Sequence, residues 1–381
     1  MNNDYLEYYG EHSISPVRQD ISNIALHYER RKKVYRQCGI PLLAFRNAEL
    51  LEIGAGGGYN TLAFFHWNVM HVDIVEANPQ GIADMQKLFT EQKIPEDKYN
   101  IFGNKIEDFN IDKKYDIVIA EGFLPYIYNQ REVINKLQGL TASGGIVVIT
   151  CSDNVCMFIE SMKRLIGISL VSTIDSFSEK VNYLSELFEP QLKKLRGVSR
   201  SAKDWIQDQI LNPAGVNGME LSLLQAIEYF EKEFDILGSS PHMFTDYSWY
   251  KDIWYDYKKE YKEQFLKKRL NLLQANAPER ILSIQQSDSL TEHFVSIKNL
   301  AAKYEKTLEI DFINKIIEEL GFVQKLAKRF LDDKFNNILQ EIVQLLCCIQ
   351  RNEEVVMENY PQFFGAFGRT QQYISFVKNI E

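Results

Sequence analysis

Residues 50–58 have the sequence Leu-Leu-Glu-Ile-Gly-Ala-Gly-Gly-Gly, and this stretch decides the fold. Apolar residues lead into a carboxylate, Glu52, and the chain then passes through a run of glycines. A strand that ends in such a turn lets backbone amides approach a ligand, because no side chain stands in the way. The stretch therefore predicts a ligand site at the end of a strand.

Two phosphate-binding patterns fit this turn poorly. The dinucleotide fingerprint G-x-G-x-x-G finds its first two glycines here, but Tyr59 occupies the position of the third. A P-loop would need a lysine directly after the glycines, and none follows. Glu52 would repel a pyrophosphate and attract an ammonium group. The alternative is a tight glycine turn in some other kind of α/β protein.

At these residues the sequence resembles the class I S-adenosylmethionine-dependent methyltransferases. The first motif of that family, acidic-x-G-x-G-x-G, is matched by Glu52, Gly54, Gly56 and Gly58. The resemblance implies S-adenosyl-L-methionine as the cofactor, bound at this turn with Ala55 included. It also implies a doubly wound, mostly parallel, seven-stranded Rossmann-like α/β sheet.

The first 155 residues have the alternation of strands and helices that predicts βαβ units. Two of the strands are continuous Val/Ile runs, which is typical of strands buried on both faces of a parallel sheet. Ligands of such sheets bind at the carboxyl ends of the strands. The five predicted strands are Glu49 to Ile53, His71 to Glu76, Tyr99 to Phe102, Tyr115 to Ala120 and Gly145 to Thr150.

The rest of the chain is mostly helical by its pattern, and we predict five segments. Two helical runs after residue 310 repeat apolar residues at three- and four-residue steps, which indicates core or dimer faces. We expect a strand from Phe234 to Pro241 with Phe244 to Trp249 as its antiparallel partner. A helix is predicted from Ser15 to Cys38, after a loop from Tyr8 to Ser13. The segments are a helical cap over the cofactor (1–44), the cofactor-binding core (45–167), a helical insertion that forms a substrate lid (168–232), the last strands (233–250) and a helical C-terminal domain (251–381).

A second acidic residue supports the cofactor assignment. Glu76 ends the second predicted strand, 22 positions after Gly54, which is close to the spacing at which a carboxylate reaches ribose hydroxyls. The resemblance implies that Glu76 and the neighbouring Ala77 bind the ribose of the cofactor. A solvated carboxylate at a strand end is the alternative.

The ends of the third and fourth strands supply the remaining candidates. By the resemblance, the loop after the third strand meets the adenine, and we select Ile106 and Glu107 there. Ala120 and Glu121 end the fourth strand and would follow the methionine part of the cofactor. Glu121 is also a candidate to orient the acceptor or to act as a base. The loop lacks the Asn/Asp-Pro-Pro-Tyr signature of amino-methylating DNA methyltransferases.

The sequence gives little information on a general base. A hydroxyl acceptor needs a group that takes its proton, whereas an amine needs only its neutral form. Among six histidines we select His12, in the predicted N-terminal lid, and His242, near the last strands. No histidine pair has carboxylates at metal-ligand spacing, and the five cysteines are scattered, so no metal site is predicted.

Composition narrows the class of partner. Of the 381 residues 45% are hydrophobic and 25% are charged, which is typical of soluble globular proteins. The net charge of −9 argues against a general nucleic-acid or anionic-membrane binder. No apolar run is long enough for a membrane span, and the first residues lack a signal-peptide pattern. We expect a cytoplasmic protein, with a homodimer through the C-terminal helices as one possibility.

The predicted function is methyl transfer to a small molecule or a glycan. The flanks at 9–12 and 121–125 resemble methyltransferases of bacterial polysaccharide and natural-product pathways, which favours sugar O-methylation over N-methylation of an amine. Aromatic residues at 247–257 and 360–367 line a sugar pocket in this interpretation, or else pack helices together. The alternatives are a nicotinamide-dependent oxidoreductase and a non-catalytic scaffold or partner subunit that retains the methyltransferase fold.

Overall fold

The structure is a computed structural model, and it describes residues 4–12, 14, 18–195, 200–215, 220–252, 254 and 256–380. By the density of internal contacts the chain divides into two compact units. The first comprises Met1–Ser152, Gly218–Gln264 and Gln371–Glu381, and it contains the sheet. The second comprises Asp153–Asn217 and Phe265–Thr370, and the elements that the structure describes in it are helical.

The first unit is built on a seven-stranded sheet with the strand order β3-β2-β1-β4-β5-β7-β6. The first five strands are parallel to their neighbours, and β7 is antiparallel to both β5 and β6. A mostly parallel Rossmann-like sheet is therefore confirmed. The strands are β1 (Glu49–Ile53), β2 (His71–Val75), β3 (Tyr99–Phe102), β4 (Tyr115–Ala120), β5 (Thr141–Cys151), β6 (Phe234–Ser240) and β7 (Gln372–Lys378).

The helices lie between these strands and in the second unit. Those of the first unit are α1 to α5, α9 and most of α10. In chain order the helices are α1 (Asp4–Glu11), α2 (Ile24–Gln37), α3 (Leu62–His66), α4 (Pro79–Glu91), α5 (Gln130–Leu140), α6 (Phe158–Leu170), α7 (Phe177–Leu192), α8 (Ala202–Trp205), α9 (Leu223–Phe230), α10 (Tyr257–Lys268), α11 (Ile284–Thr307), α12 (Ile310–Phe330), α13 (Asp333–Gln350) and α14 (Pro361–Phe364).

Local sequence explains where the elements near the carboxyl edge of the sheet begin and end. Strands β1 and β2 are almost entirely buried, in accordance with their apolar sequences. Helix α4 begins directly after β2 because Asn78 caps it: its side chain accepts from the backbone amides of Gln80 and Gly81. Pro79 occupies the first turn of α4, where its missing amide proton costs no hydrogen bond.

The prediction for the last strands was partly wrong. A strand does begin at Phe234, but its antiparallel partner is β7, at the end of the chain, and not Phe244 to Trp249. Strand β7 inserts between β5 and β6 and pairs with both. The predicted helical segment 251–381 therefore ends in a strand. Local pattern could not identify this pairing, because it joins segments separated by more than a hundred residues.

The N-terminal prediction also differs from the structure. The residues Tyr8 to Glu11, predicted as a loop, lie in helix α1, and the next helix begins at Ile24. Ser13 and Ser15, the end of that loop and the predicted helix start, lie outside the described residues. Ile14 is buried, and its carbonyl accepts from the Asn78 side chain at 3.2 Å. The N-terminal segment therefore contacts the start of α4.

The second unit has its own apolar core. The two amphipathic runs predicted after residue 310 are α12 and α13, and their apolar faces are buried in that core. Helices from 153–217 and from 265–370 contribute to it together, so most of the predicted insertion shares one unit with the C-terminal helices, whereas its last helix, α9, belongs to the first unit. Within the described part of the chain, no helix combines the length and apolarity that crossing a membrane requires.

Candidate functional site

The sheet brings three of the predicted site segments to the same edge. Ile53 at the end of β1 pairs with Val75 of β2 on one side and with Ala120 of β4 on the other. Because the three strands are parallel, the residues that follow them leave the sheet at the same edge. These are the glycine turn, Glu76 and Glu121, so the structure places these three segments side by side.

The glycine turn requires glycine at alternate positions. Gly54, Gly56 and Gly58 all have left-handed backbone angles, with φ of +73°, +56° and +76°. A Cβ atom on Gly54 would lie 2.8 Å from the Phe123 ring, and one on Gly58 would lie 2.6 Å from Cγ of Met85. Ala55 lies between them and is partly exposed. The turn is therefore both conformationally and sterically restricted to glycine, as the motif predicted.

Glu52 lies beneath this turn and is buried. Its Oε2 accepts a hydrogen bond from the Thr61 hydroxyl at 2.6 Å. Burial raises the pKa of Glu52 to about 8, with a further contribution from Glu121, and the hydroxyl and Arg31 oppose the rise. A carboxylate that lacks a close cation favours a cationic ligand, because that ligand stabilises its charged form.

Glu76 lies at the other side of the turn and is also buried. Its carboxylate accepts from the backbone amides of Gly56 and Asn78, each at 2.7 Å. Burial raises the pKa of Glu76, and these backbone hydrogen bonds oppose the rise. A carboxylate has about four acceptor positions, so hydroxyl groups of a ligand can share it with the two amides. The contact with Gly56 ties the end of β2 to the glycine turn.

Glu121 is held by a network that the sequence did not predict. One of its carboxylate oxygens accepts from the guanidinium of Arg31 and, at 2.8 Å, from the hydroxyl of Tyr35. The other oxygen accepts from the side-chain amide of Asn60 at 3.2 Å. Arg31 also lies 3.4 Å from the hydroxyl of Tyr373 on β7. Glu121 therefore connects helix α2, the loop after the glycine turn and, through Arg31, the last strand.

Arg31 is the cation of this edge, and it is buried. Burial opposes its charge, but Glu121 together with Tyr35 and Tyr373 outweighs that effect and raises the pKa of Arg31. Its Nε atom is buried without a hydrogen-bond partner. An unsatisfied buried donor is costly, so an acceptor group of a ligand would be stabilised beside this atom.

A signal for this network was present in the sequence of helix α2. Its buried residues are His27, Arg31 and Tyr35, at successive four-residue steps, and most of its other residues are charged or polar. Residues four apart lie on one face of a helix. A polar stripe that is turned inward on an otherwise polar helix indicates a ligand or a buried ion pair. Apolar periodicity does not reveal such a stripe, because its residues are polar.

His27 lies one turn before Arg31. Its Nε2 is 3.0 Å from the carbonyl oxygen of Tyr59, and a carbonyl can only accept, so the proton of a neutral His27 ring lies on Nε2. Burial lowers the pKa of His27, and the charge of Arg31 lowers it further. His27 is therefore neutral near pH 7, with an unprotonated Nδ1.

The remaining predicted residues lie at different distances from this edge. Ala77 follows Glu76, and Ala120 ends β4. Ile106 is buried in a short 3-10 helix, Ile106–Asp108, after β3, whereas Glu107 is exposed and accepts from the Asn129 side chain at 2.7 Å. Their assignment to the adenine stays a prediction.

The two histidines proposed as bases occupy different positions. His12 follows α1 with its ring 5.0 Å from that of Tyr8, two residues before the contact of Ile14 with Asn78. His242 is exposed and follows β6. The end of β6 is separated from that of β4 by β7 and β5. The structure records no contact between either ring and Glu121 among the described residues.

The charges of the edge fit S-adenosylmethionine and not a pyrophosphate. Three buried carboxylates, those of Glu52, Glu76 and Glu121, stand against the one guanidinium of Arg31. Because burial raises the pKa of Glu52 and of Glu76, a ligand with an ammonium and a sulfonium is favoured, since its positive charge stabilises the ionised form of these groups. Among the described residues no group of three or more His, Cys, Asp or Glu side chains has the geometry to hold a metal ion.

Comparisons with known proteins concern the same part of the chain. The methyltransferase domain family matches residues 51–149, which contain the glycine turn, Glu52, Glu76 and Glu121. The chain is 27% identical over 143 residues to the ubiquinone biosynthesis O-methyltransferase of Rickettsia felis, covering 36% of this chain and 50% of the relative. It is 23% identical over 189 residues to malonyl-[acyl-carrier protein] O-methyltransferase 1 of Ilyobacter polytropus, covering 47% and 66%. The chain thus spans about half the length of the first of these relatives.

Two solved structures with S-adenosylhomocysteine show weaker likeness. The N-methyltransferase NodS from Bradyrhizobium japonicum is 18% identical, with a TM-score of 0.33 over 40% of this chain and 75% of NodS. PKMT2 from Rickettsia typhi is 16% identical, with a TM-score of 0.41 over 61% and 49%. Scores this low carry no information on function.

The assignment accordingly depends on the sequence motif, the charge of the strand ends and the family match, which all concern the same hundred residues. S-adenosylmethionine is the cofactor of this family of domains. On this evidence the chain carries the methyltransferase domain of a class I S-adenosylmethionine-dependent methyltransferase.

Proposed function

We propose that the chain transfers a methyl group from S-adenosylmethionine to a small-molecule or glycan acceptor, with O-methylation of a sugar as the first candidate. One observation carries the cofactor part of the proposal. Three buried carboxyl groups, those of Glu52, Glu76 and Glu121, lie near the ends of β1, β2 and β4, and one buried guanidinium, that of Arg31 on α2, accompanies them. N-methylation of an amine is the second candidate for the reaction.

Each part of the cofactor has a matching group at this edge. Glu52 and the amides of the glycine turn would hold the ammonium and the methionine chain. Glu76 would accept from the ribose hydroxyls, and Ile106 and Glu107 would meet the adenine. Arg31 lies beside Glu121 with an unpartnered Nε, which supports a contact with the carboxylate of the methionine part.

The chemistry required of the protein is modest. The cofactor supplies a methyl group on a sulfonium, which an acceptor atom displaces in line, so the residues mainly align the acceptor and exclude water. Glu121 accepts from three side chains, which supports a positioning role over that of a base. His12 and His242 stay as proposed bases for a hydroxyl acceptor. His27 joins them, because Nδ1 of its neutral ring is unprotonated.

The acceptor class is inferred from the names of relatives, the net charge and the resemblance of two short flanks. Both of the relatives described above are O-methyltransferases by name, which favours oxygen over nitrogen as the acceptor atom. Another relative is the ribosomal RNA small subunit methyltransferase G of Mycoplasmopsis pulmonis, at 25% identity over 146 residues, but the net charge of −9 here disfavours RNA. We retain the sugar as the first candidate on the resemblance of residues 9–12 and 121–125.

Three roles of other segments also belong to this proposal. The N-terminal residues 1–44 would cover the cofactor, and the contact of Ile14 with Asn78, two residues beyond Glu76, supports this. Residues 168–232 would act as a substrate lid. A homodimer through the C-terminal helices would use their exposed residues, such as Ile310 and Phe322, because the apolar faces of α12 and α13 are buried within the chain.

Calorimetric titration with S-adenosylmethionine, S-adenosylhomocysteine and NAD tests the cofactor assignment. We expect the chain to bind S-adenosylmethionine and S-adenosylhomocysteine but not NAD. Binding of NAD alone would contradict the proposal. Glu76→Gln should weaken binding of S-adenosylhomocysteine about tenfold or more, since it removes a charged acceptor of ribose hydroxyls. Glu91→Gln, an exposed carboxylate at the end of α4, is the matched control and should bind as the unmodified protein does.

Transfer of a radiolabelled methyl group to cell extract, fractionated into oligosaccharide, lipid, protein and RNA pools, tests the acceptor. We expect the label in the oligosaccharide pool, in an alkali-stable ether. Label in the RNA or protein pool would contradict the acceptor and leave the cofactor assignment standing. Cofactor binding without transfer to any pool would favour the scaffold alternative.

A further inference from the structure

Two tyrosines from different elements contact the guanidinium of Arg31. Tyr35 lies one turn further along α2, and Tyr373 lies on β7. The guanidinium carbon is 5.0 Å from the ring centroid of Tyr35 and 5.9 Å from that of Tyr373. Its Nη2 donates to the Tyr35 hydroxyl at 2.6 Å, and its Nη1 donates to the Tyr373 hydroxyl at 3.4 Å. Both hydroxyl groups therefore accept a hydrogen bond from one cation.

The two hydroxyl groups differ in what their own protons do. The Tyr35 hydroxyl donates its proton to Glu121 at 2.8 Å. For the proton of the Tyr373 hydroxyl, the described part of the chain supplies no recorded acceptor. Burial raises the pKa of Tyr373, and the charge of Glu121 raises it further, so this hydroxyl keeps its proton at neutral pH. A partly buried donor of this kind is stabilised by an acceptor group of a ligand.

Arg31 has unused donors next to this hydroxyl. Its Nη2 contacts Tyr35 and Glu121, and one N–H of Nη1 is directed at Tyr373. Among the described residues no acceptor is recorded for the second N–H of Nη1 or for the buried Nε. Nη1 and the Tyr373 oxygen are 3.4 Å apart, so the two oxygens of one carboxylate can accept from both.

Strand pairing places Tyr373 at the same edge of the sheet as Glu121. Tyr373 is near the start of β7 and pairs with Thr150, near the end of β5. The Thr150 hydroxyl accepts from the backbone amide of Gly122 at 2.7 Å, and Gly122 directly follows Glu121. The start of β7 is therefore joined through β5 to the end of β4, where the candidate cofactor site lies.

Helix α2 is fixed at both ends, so Arg31 is held in place between them. Near the start of the helix, Nε2 of His27 is 3.0 Å from the carbonyl oxygen of Tyr59. At the other end, the hydroxyl of Ser240 on β6 donates to the side-chain oxygen of Gln37 at 2.6 Å. Donors that are oriented before a ligand binds lose little conformational entropy on binding.

The charges of the edge indicate what kind of carboxylate fits. Glu121 already offsets the charge of Arg31, so a ligand with a net negative charge would be repelled. Glu52, beneath the glycine turn, favours an ammonium, because that charge stabilises its ionised form. A carboxylate carried next to an ammonium therefore suits the edge better than a free anion. The Tyr373 hydroxyl adds a donor without adding a charge.

We propose that Tyr373 donates its hydroxyl proton to a carboxylate of the ligand, beside Arg31, so that the last strand supplies a binding residue to the candidate site. Two ligands can carry this carboxylate: the methionine part of the cofactor and an acceptor that is itself an acid. The charge balance with Glu52 favours the methionine part. The inference rests on the proposed function, because it names a further residue of that same site.

Calorimetric titration with S-adenosylmethionine and with its decarboxylated form, which keeps the ammonium and the sulfonium, tests the contact. Tyr373→Phe keeps the ring beside Arg31 and removes only the hydroxyl. It should weaken binding of S-adenosylmethionine about tenfold and leave binding of the decarboxylated form unchanged. The control is Tyr115→Phe at the start of β4, which removes a buried hydroxyl that donates to Asp73 at 2.8 Å. It should lower stability but leave both affinities unchanged.

A direct contact is separated from an effect through Arg31 by repeating the titration in the variant Arg31→Lys. If Tyr373 donates to the ligand, Tyr373→Phe should weaken S-adenosylmethionine by a similar factor in this background. No further loss would show that Tyr373 only holds Arg31 in place, and would overturn the proposal. Urea unfolding of each variant identifies any that is not folded under the conditions of the titration.

A second arm measures transfer of the radiolabelled methyl group to cell extract. If the acceptor carries the carboxylate, Tyr373→Phe should bind S-adenosylmethionine normally but need about tenfold more extract for half-maximal transfer. Unchanged affinity together with unchanged transfer would overturn the proposal, as would equal weakening of S-adenosylmethionine and its decarboxylated form. Those results leave the proposed function standing, because the unmodified chain still binds the cofactor. An unmodified chain that does not bind S-adenosylmethionine would instead contradict the proposed function, and this inference with it.

Discussion

Two buried carboxylates of the helical unit and Glu52 of the sheet unit differ in their partners, although the sheet unit also contains a carboxylate that is paired with a guanidinium, Glu121 with Arg31. In the helical unit, buried carboxylates meet guanidinium groups: Asp153 accepts from Nε of Arg269 at 3.0 Å and lies 2.9 Å from its Nη2, and Glu305 lies 2.7 Å from Nε of Arg164. In the sheet unit, Glu52 is just as buried, but the hydrogen bond recorded for it comes from a neutral hydroxyl.

The difference separates structural charge from functional charge. A buried ion pair holds its elements in place, and removal of either partner leaves a charge that water cannot reach. A buried carboxylate without a close cation destabilises its surroundings, and a ligand with the opposite charge can relieve that cost. Neutralising one charge in each unit should therefore have opposite consequences, and the predictions below test this comparison.

The largest effect should come from breaking the ion pair of the helical unit. Arg269→Met leaves the fully buried carboxyl of Asp153 without its cation, so we expect the free energy of unfolding to fall by about 3–5 kcal/mol. Urea unfolding followed by circular dichroism measures it. Lys87→Met, which removes an exposed cation 4.0 Å from Glu91, should cost less than about 1 kcal/mol. Equal effects of the two substitutions would contradict the structural role of the pair.

Neutralising Glu52 should act on the ligand and not on the fold. Glu52→Gln should weaken binding of S-adenosylmethionine about 30- to 150-fold, or about 2–3 kcal/mol, because the ammonium loses its charged partner. Without the cofactor, the free energy of unfolding should stay the same or rise, since a neutral amide replaces a carboxylate that burial disfavours. Calorimetry and urea unfolding measure the two quantities.

The matched control is Glu49→Gln at the opposite end of β1. Glu49 is partly exposed and lies 2.9 Å from Lys113, away from the glycine turn. The substitution Glu49→Gln should leave the affinity for the cofactor unchanged. If Glu52→Gln instead lowered stability by as much as Arg269→Met does, the distinction between the two units would be wrong.

Two glycine substitutions compare backbone restriction in the two units. Gly58→Ala places a Cβ atom 2.6 Å from Met85 and 2.9 Å from Phe89, at a left-handed φ, so we expect a loss of about 2 kcal/mol. Gly321→Ala adds a Cβ in open space inside α12 and should stabilise by about 0.5–1 kcal/mol. Thermal unfolding of the two variants should therefore shift in opposite directions. Shifts in the same direction would contradict the geometry of the turn.

The last prediction concerns the pH dependence of cofactor affinity. Glu52 of the cofactor-free protein has its pKa raised to about 8, so at pH 6 it is protonated and must lose a proton to bind an ammonium. Cofactor affinity should rise up to about tenfold, or 1.4 kcal/mol, from pH 6 to pH 7. Glu52→Gln should abolish that rise. A flat profile in the unmodified protein would show that the bound cofactor does not require ionised Glu52.

The same group affects stability with the opposite sign. The unfolded chain releases this proton near pH 4.5, whereas the folded cofactor-free protein keeps it up to about pH 8. Between these values the folded state holds the additional proton, so the contribution of Glu52 to stability is present below pH 4.5 and is lost as pH rises toward 8. The contribution of Glu52 is measured by comparing the free energy of unfolding of Glu52→Gln with that of the unmodified chain at pH 5 and at pH 8.

Local sequence was sufficient for the first half of the sheet. Four of the five predicted strands begin and end within one residue of the observed ones, because each is a short run of residues that favour extended structure between turn or helix signals; the fifth, β5, begins four residues earlier than predicted. The glycine turn could also be predicted from local sequence, because the left-handed φ angles at Gly54, Gly56 and Gly58 favour glycine independently of the tertiary structure. Glu52 and Glu76 followed from their positions beside these elements.

The opposite holds for interactions between distant segments. Glu121 was selected, but its partner Arg31 is 90 positions away on a helix whose polar stripe gave no apolar signal. The partner of β6 was assigned to the nearest extended segment, whereas the sheet takes it from the end of the chain. Periodicity reports only which face of an element is buried, and not what covers it.

The sequence by itself therefore determined the parallel core, the glycine turn and the carboxylates that face it, since these depend on backbone conformation and on neighbours within a few residues. The tertiary structure alone decided that β7 completes the sheet, that Arg31 and Tyr35 hold Glu121, and that Arg269 neutralises Asp153. The physical reason is that buried charges and strand edges are satisfied by whichever group the fold brings near, however far apart the two lie along the chain.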